Sequence, residues 1–152
     1  MTKKRIFLED FELGVTYESP SHEVTEEEII EFARRYDPQY FHLDAEAAKN
    51  SIFGGLVCGG FQTASLAWTL AHKSGMFDDC SIGGIGVDEL RWLAPVRPGY
   101  VLRARFTVLE WRPSGSRPEA CVCRMRCEVV QQDGRPVITM VMIQLLRRRP
   151  ST

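Results

Sequence analysis

Residues 56–72 read Leu56-Val57-Cys58-Gly59-Gly60-Phe61-Gln62-Thr63-Ala64-Ser65-Leu66-Ala67-Trp68-Thr69-Leu70-Ala71-His72. Paired glycines open onto a run in which Phe61, Ala64, Leu66, Ala67, Trp68, Leu70 and Ala71 leave almost no charged surface. A helix that is apolar nearly all round belongs at the buried centre of its domain. After the glycine-rich stretch at 83–86, read as a turn, the period changes to two. Strands are predicted at 87–93, 101–111, 120–130 and 137–146, with Asp133-Gly134 as the hairpin turn between the last two.

Working back toward the N-terminus, Thr25 caps a helix predicted over 25–35. Glu28 completes a capping box, and Val24 staples to Ile29. Pro38 disfavours helical geometry in the residue before it. Residues 37–55 form a connection with one possible helical turn at 45–49, and a further strand lies near 15–19, stopped by Pro20. One buried helix followed by an antiparallel meander is an α+β arrangement. Wrapping the sheet around the helix gives a single hot-dog domain over 1–152, with 1–10 and 148–152 as flexible tails. A curved sheet with an open edge strand is completed by a second copy, so a homodimer or higher homo-oligomer is expected.

Composition removes several functions. The 152 residues are 44% hydrophobic and 26% charged, with a net charge of −1. That balance offers no electrostatic case for a nucleic-acid or anionic-membrane binder. The terminal Arg147-Arg148-Arg149 run reads as a solvated tail. No apolar stretch resembles a secretory signal or approaches the roughly 20 residues of a membrane span, so a cytoplasmic protein is expected. Five cysteines, an odd count, argue against a disulfide framework. Cys121, Cys123, Met125, Cys127 and Val129 alternate with Val122, Arg124, Arg126 and Glu128, which makes these cysteines buried strand residues rather than metal ligands.

The chemistry concentrates in Phe32-Ala33-Arg34-Arg35-Tyr36-Asp37-Pro38-Gln39-Tyr40-Phe41-His42-Leu43-Asp44. A carboxylate and an imidazole five residues apart, among aromatics, can share one water, one group taking a proton while the other gives one. By spacing alone the plainer reading is structural: Asp37 at a helix end, His42 a hydrogen-bonded core histidine.

This stretch, together with Gly59 and with Gly86-Val87-Asp88-Glu89-Leu90-Arg91-Trp92-Leu93-Ala94-Pro95-Val96-Arg97-Pro98-Gly99, resembles the MaoC-like dehydratases, a family that includes the R-specific enoyl-CoA hydratases. The resemblance puts Asp37 and His42 on the family's catalytic pair, Asp44 on a nearby acidic position and Gly59 on the glycine opening the central helix. Gln39 stands near the signature asparagine, and Cys58 replaces a histidine. A serine that some members carry has Ala64 in its place. The implied activity is reversible hydration of a 2-enoyl thioester, with the Gly59 N–H meeting the enolate oxygen. Gln39, Cys58 and Gly60 would shape the substrate site, and Arg91 and Arg97 are candidates for coenzyme A phosphates. No metal and no cofactor beyond the substrate's coenzyme A is implied. Two other readings stand: a hot-dog acyl-CoA thioesterase, against which the absence of Asp or Glu from 57–71 counts, and a non-catalytic acyl-thioester-binding module.

Overall fold

The computed structural model describes residues 2–151. The chain runs β1 (Thr16–Glu18), β2 (His22–Glu23), α1 (Glu26–Tyr36), α2 (Tyr40–Leu43), α3 (Ala45–Ala48), α4 (Gly60–Lys73), β3 (Ser81–Trp92), β4 (Val101–Pro113), β5 (Ala120–Gln131) and β6 (Pro136–Arg147). All pairings are antiparallel, in the order β1-β4-β5-β6-β3, with β2 also on β4. The α+β hot-dog layout is what forms.

The sheet's inner face explains why the helix sits where it does. On β4, Leu102, Ala104, Phe106 and Val108 are fully buried, and on β5 so are Cys121, Cys123, Met125, Cys127 and Val129. Period-two alternation sends all of them to one side. Ala67, Leu70 and Ala71 of α4 meet that side and are also fully buried. All five cysteines are free and buried.

Several expectations need correction. The glycines at 83–86 are not a turn; they lie inside β3, which starts at Ser81. Breaks in register mark this stretch, and a Cβ on Gly84 would stand 3.1 Å from the Gln144 amide nitrogen. Glycine here answers a close approach between strands rather than a change of direction. Nor do the four long strands form a simple meander: β3 joins β6 at the edge, so the chain crosses from one end of the sheet to the other between β3 and β4. The short strand β2 and the helix α2 carry too few residues to leave a periodic signal. Helix α4 is buried on one face only, and Phe61 is 67% exposed on the other.

Helix α1 begins as its sequence dictates. The Thr25 side chain accepts from the Glu28 N–H at 3.1 Å, and Val24 and Ile29 are fully buried. The reciprocal half of the capping box is not made, because the Glu28 carboxylate pairs with His22 Nε2 at 2.9 Å.

The flexible-tail expectation for 1–10 and 148–152 does not anticipate the contacts at either end; Met1 and Thr152 lie outside the described residues. Phe7 and Leu8 are buried. The Arg149 guanidinium donates to Asp10 at 2.6 Å, and the Arg149 backbone N–H donates to Glu9.

Candidate active site

Asp37 caps the end of α1, its N–H donating to the Ala33 carbonyl at 2.9 Å. Pro38 breaks the helix there, and α2 then carries His42 back toward the mouth of α4. The two side chains meet: His42 Nε2 lies 3.5 Å from Asp37 Oδ2, with His42 buried and Asp37 partly so. His42 Nδ1–H donates to the Val57 carbonyl at 2.7 Å. With Nδ1 committed to that carbonyl, Nε2 is the ring nitrogen that faces Asp37.

Gln39 belongs to the same cluster in a different role from the one its position suggests. Its carboxamide N–H donates to Asp37 Oδ1 at 2.7 Å. One carboxylate oxygen is thereby occupied, and the other faces His42. Oδ2 also lies 3.0 Å from where a Cβ on Gly59 would stand, so the carboxylate rests against the start of α4. Among the described residues the Gly59 N–H has no hydrogen-bond acceptor. It belongs with the free N–H groups that open a helix and carry its positive end.

His42 lines a cavity of about 340 Å3 together with Phe41, Phe53, Cys58, Gly60, Thr63 and Trp92, and with 93–96 of the strand exit. Phe41 stands edge-on to His42 at 4.5 Å, while Tyr40 is half exposed. Burial pushes the Cys58 thiol up to about 12, against a smaller lowering by Thr63 and a further rise from Glu28. The thiol is therefore uncharged at neutral pH and is no nucleophile.

Trp92 covers Gly60. Its indole N–H donates to the Gly60 carbonyl at 2.7 Å, and a Cβ on Gly60 would come within 2.7 Å of the ring. Sequence reading leaves out Trp92, Phe41, Phe53 and Thr63 as site residues. Thr63 could be sought one residue before Ala64; its hydroxyl donates to the Gly59 carbonyl at 3.2 Å, whereas that of Ser65 faces outward and donates to Phe61. Asp44 stands apart from the pair as the cap of α3, accepting from Glu46 and Ala47.

Of the dyad only His42 lines this cavity; Asp37, Gly59 and the two arginines do not. Arg97 donates to the Phe53 carbonyl at 2.6 Å and ties down the loop that carries it. Arg91 is exposed and donates to the carbonyl of its neighbour Leu90.

A hot-dog domain with an Asp–His pair at the mouth of its central helix defines a class, and comparison with known proteins agrees. Residues 10–121 match the family described as MaoC like domain, and the chain belongs to that family. It is 31% identical over 106 residues to the uncharacterized protein YdeM of Bacillus subtilis, covering 70% of this chain and 75% of that one. Among solved structures, a MaoC-like dehydratase from Rhodospirillum rubrum superposes with a TM-score of 0.86 at 38% identity, covering 97% of this chain and all of the other. The R-hydratase PhaJ1 of Pseudomonas aeruginosa, at 23% identity and a TM-score of 0.75, shares the fold over 95% of this chain and 87% of its own.

Proposed function

We propose that this protein is a hydro-lyase that adds water reversibly across the 2,3 double bond of a 2-enoyl thioester carried by coenzyme A or another acyl carrier. The observation that carries the reading is the 3.5 Å approach of His42 Nε2 to Asp37 Oδ2, beside the open N–H of Gly59. Two acceptors so placed hold one water by its two hydrogens. Asp37 takes a proton as the water oxygen bonds to the β-carbon, and His42 keeps that oxygen in line. The π electrons move onto the thioester oxygen, which accepts from the Gly59 N–H. Removing one such donor typically costs about 3–4 kcal/mol. The proton then returns to the α-carbon as the carbonyl re-forms, leaving both side chains as they began. The glycines at 59 and 60 let the thioester approach the helix mouth, and Cys58 contributes an uncharged wall.

The reading needs no cofactor beyond the thioester carrier. It places the enzyme in the cytoplasm, in keeping with five unpaired cysteines; no helix among the described residues is long and apolar enough to cross a membrane. It also makes the working unit a homodimer. The outer edge of β3 pairs with no strand among the described residues. Beside it Phe61, Trp68, Val87 and Met140 line an apolar cavity of about 570 Å3. Gln144 lines it too, with a buried Oε1 that has no partner among the described residues. A second copy would cover both features.

The test is to mix the protein with crotonyl-CoA and follow the absorbance of the conjugated double bond, identifying the product by mass. Loss of absorbance with formation of the 3-hydroxyacyl thioester supports the reading. Release of free coenzyme A without hydration would favour a thioesterase instead.

A further inference from the structure

His42 is aimed from a loop as much as from its own helix. Helix α2 has four residues, too few to be stable alone, so contacts from outside set its place. Those contacts come from residues 53–58, between α3 and the mouth of α4. The Val57 carbonyl accepts the His42 Nδ1–H at 2.7 Å, and the Val57 N–H donates to the Phe41 carbonyl at 3.1 Å.

Residues 53–58 are held in turn by residues 93–99. The Leu93 N–H donates to the Val137 carbonyl on β6 at 2.9 Å, and the Gly99 N–H donates to the Val24 carbonyl at 2.7 Å. Between these anchors Pro95 and Pro98 stiffen the backbone by fixing φ. From this platform the Val96 carbonyl accepts the Cys58 N–H at 2.8 Å. Arg97 Nη2 donates to the Phe53 carbonyl at 2.6 Å, and Nη1 lies 3.5 Å from where a Cβ on Gly55 would stand. Neighbouring residues thus grip the loop at both ends, with Val57 between the grips.

A second line of contact runs through the rings. Phe53 packs on Phe41 with centroids 5.3 Å apart, and Phe41 stands edge-on to His42 at 4.5 Å. Arg97 is half-buried. Its charged donor makes a stronger bond than a neutral one would.

We infer, resting on the hydratase reading, that Arg97 is a positioning residue for the reaction. By holding Phe53 it keeps the Val57 carbonyl, and through it the His42 imidazole, in line with the water on Asp37. Without that grip the loop drifts, and a displacement of about 1 Å at a reacting group can cost about 100-fold in rate. A ligand for coenzyme A phosphates would act otherwise, on the carrier and not on the reacting atoms.

The experiment measures kcat and KM for crotonyl-CoA and for crotonyl-pantetheine, which has the same reacting group and no phosphates. The proteins are the wild type, Arg97→Met and Arg97→Lys, with melting temperatures recorded for each. Arg97→Met should lose at least about tenfold in kcat on both thioesters, with KM changed by less than roughly threefold. Arg97→Lys, a shorter donor, should fall between the two. Where Arg97→Met does not fold, Arg97→Lys carries the same comparison, and an equal kcat loss on both thioesters supports the inference. A loss confined to KM for crotonyl-CoA, or an unchanged kcat, overturns it.

Nitrogen NMR of the labelled His42 imidazole gives a readout independent of turnover. The Nδ1–H should exchange slowly with solvent in the wild type and at least about tenfold faster in the variant. That result upholds the positioning even if the wild type hydrates no enoyl thioester, an outcome that sinks the hydratase reading alone. An exchange rate that does not change overturns the inference.

Discussion

Asp37 lies against Gly59 so closely that its Oδ2 is 3.0 Å from the point where a side chain's first carbon would stand. Gly59 has φ −62° and ψ 146°, a conformation open to any residue. Its glycine therefore answers the close carboxylate and not a backbone need. Gly59→Ala should fold with a melting temperature near that of the wild type, yet lose at least about tenfold in kcat as the methyl displaces Asp37. Parallel melting and hydration measurements check this; an active Gly59→Ala enzyme would contradict the geometry.

The Gln39 carboxamide fixes which oxygen of Asp37 can act as the base. Gln39→Leu removes the 2.7 Å bond to Oδ1 and lets the carboxylate rotate. We expect kcat to fall about tenfold with KM little changed, since the carboxamide is spent on Asp37. A rise in KM with kcat preserved would return Gln39 to the substrate-binding role that its place in the motif suggests.

Much of this is legible in the sequence. The strands over 101–147 show period-two alternation, the Thr25 cap is local chemistry, and Asp37, His42 and Gly59 are a motif match that the fold brings together. What stayed hidden depends on register between segments far apart in the chain. Gly84 sits opposite Gln144, and Trp92 folds over Gly60; no local pattern states either pairing. Arg97 looks like a phosphate ligand because a lone arginine near a motif does so. Its carbonyl partner lies 44 residues away on a loop, and only the folded chain shows that the charge has a structural use.

Trp92 and Gly60 form a matched pair. Gly60→Ala places a methyl within 2.7 Å of the indole, and the strain should cost about 1–3 kcal/mol in stability. Trp92→Phe added to Gly60→Ala should recover part of that loss by shrinking the ring. Chemical denaturation of the single and double variants measures both; strictly additive losses would mean that the contact is slack.

Burial pushes the thiols of Cys58, Cys80, Cys123 and Cys127 from an ordinary value of 9.0 up to about 12. In the unfolded chain they lose protons near pH 9, while in the folded chain they keep them. The stability they contribute is thus full below pH 9 and is lost as pH rises toward 12. The loss is about 1.4 kcal/mol per pH unit for each thiol in that window. Denaturant melts between pH 8 and about 11 should show this fall, and replacing Cys127 with Ala should flatten its slope.

The central claim is that Asp37 is the base that hydrates an enoyl thioester, on a water that His42 holds in line. Its most direct test is the rate of absorbance loss from crotonyl-CoA with wild-type protein and with Asp37→Asn, a substitution that keeps the shape and removes the base. The account predicts steady hydration by the wild type and a loss of at least about 100-fold in the variant at an unchanged melting temperature. Equal rates for the two proteins would contradict it.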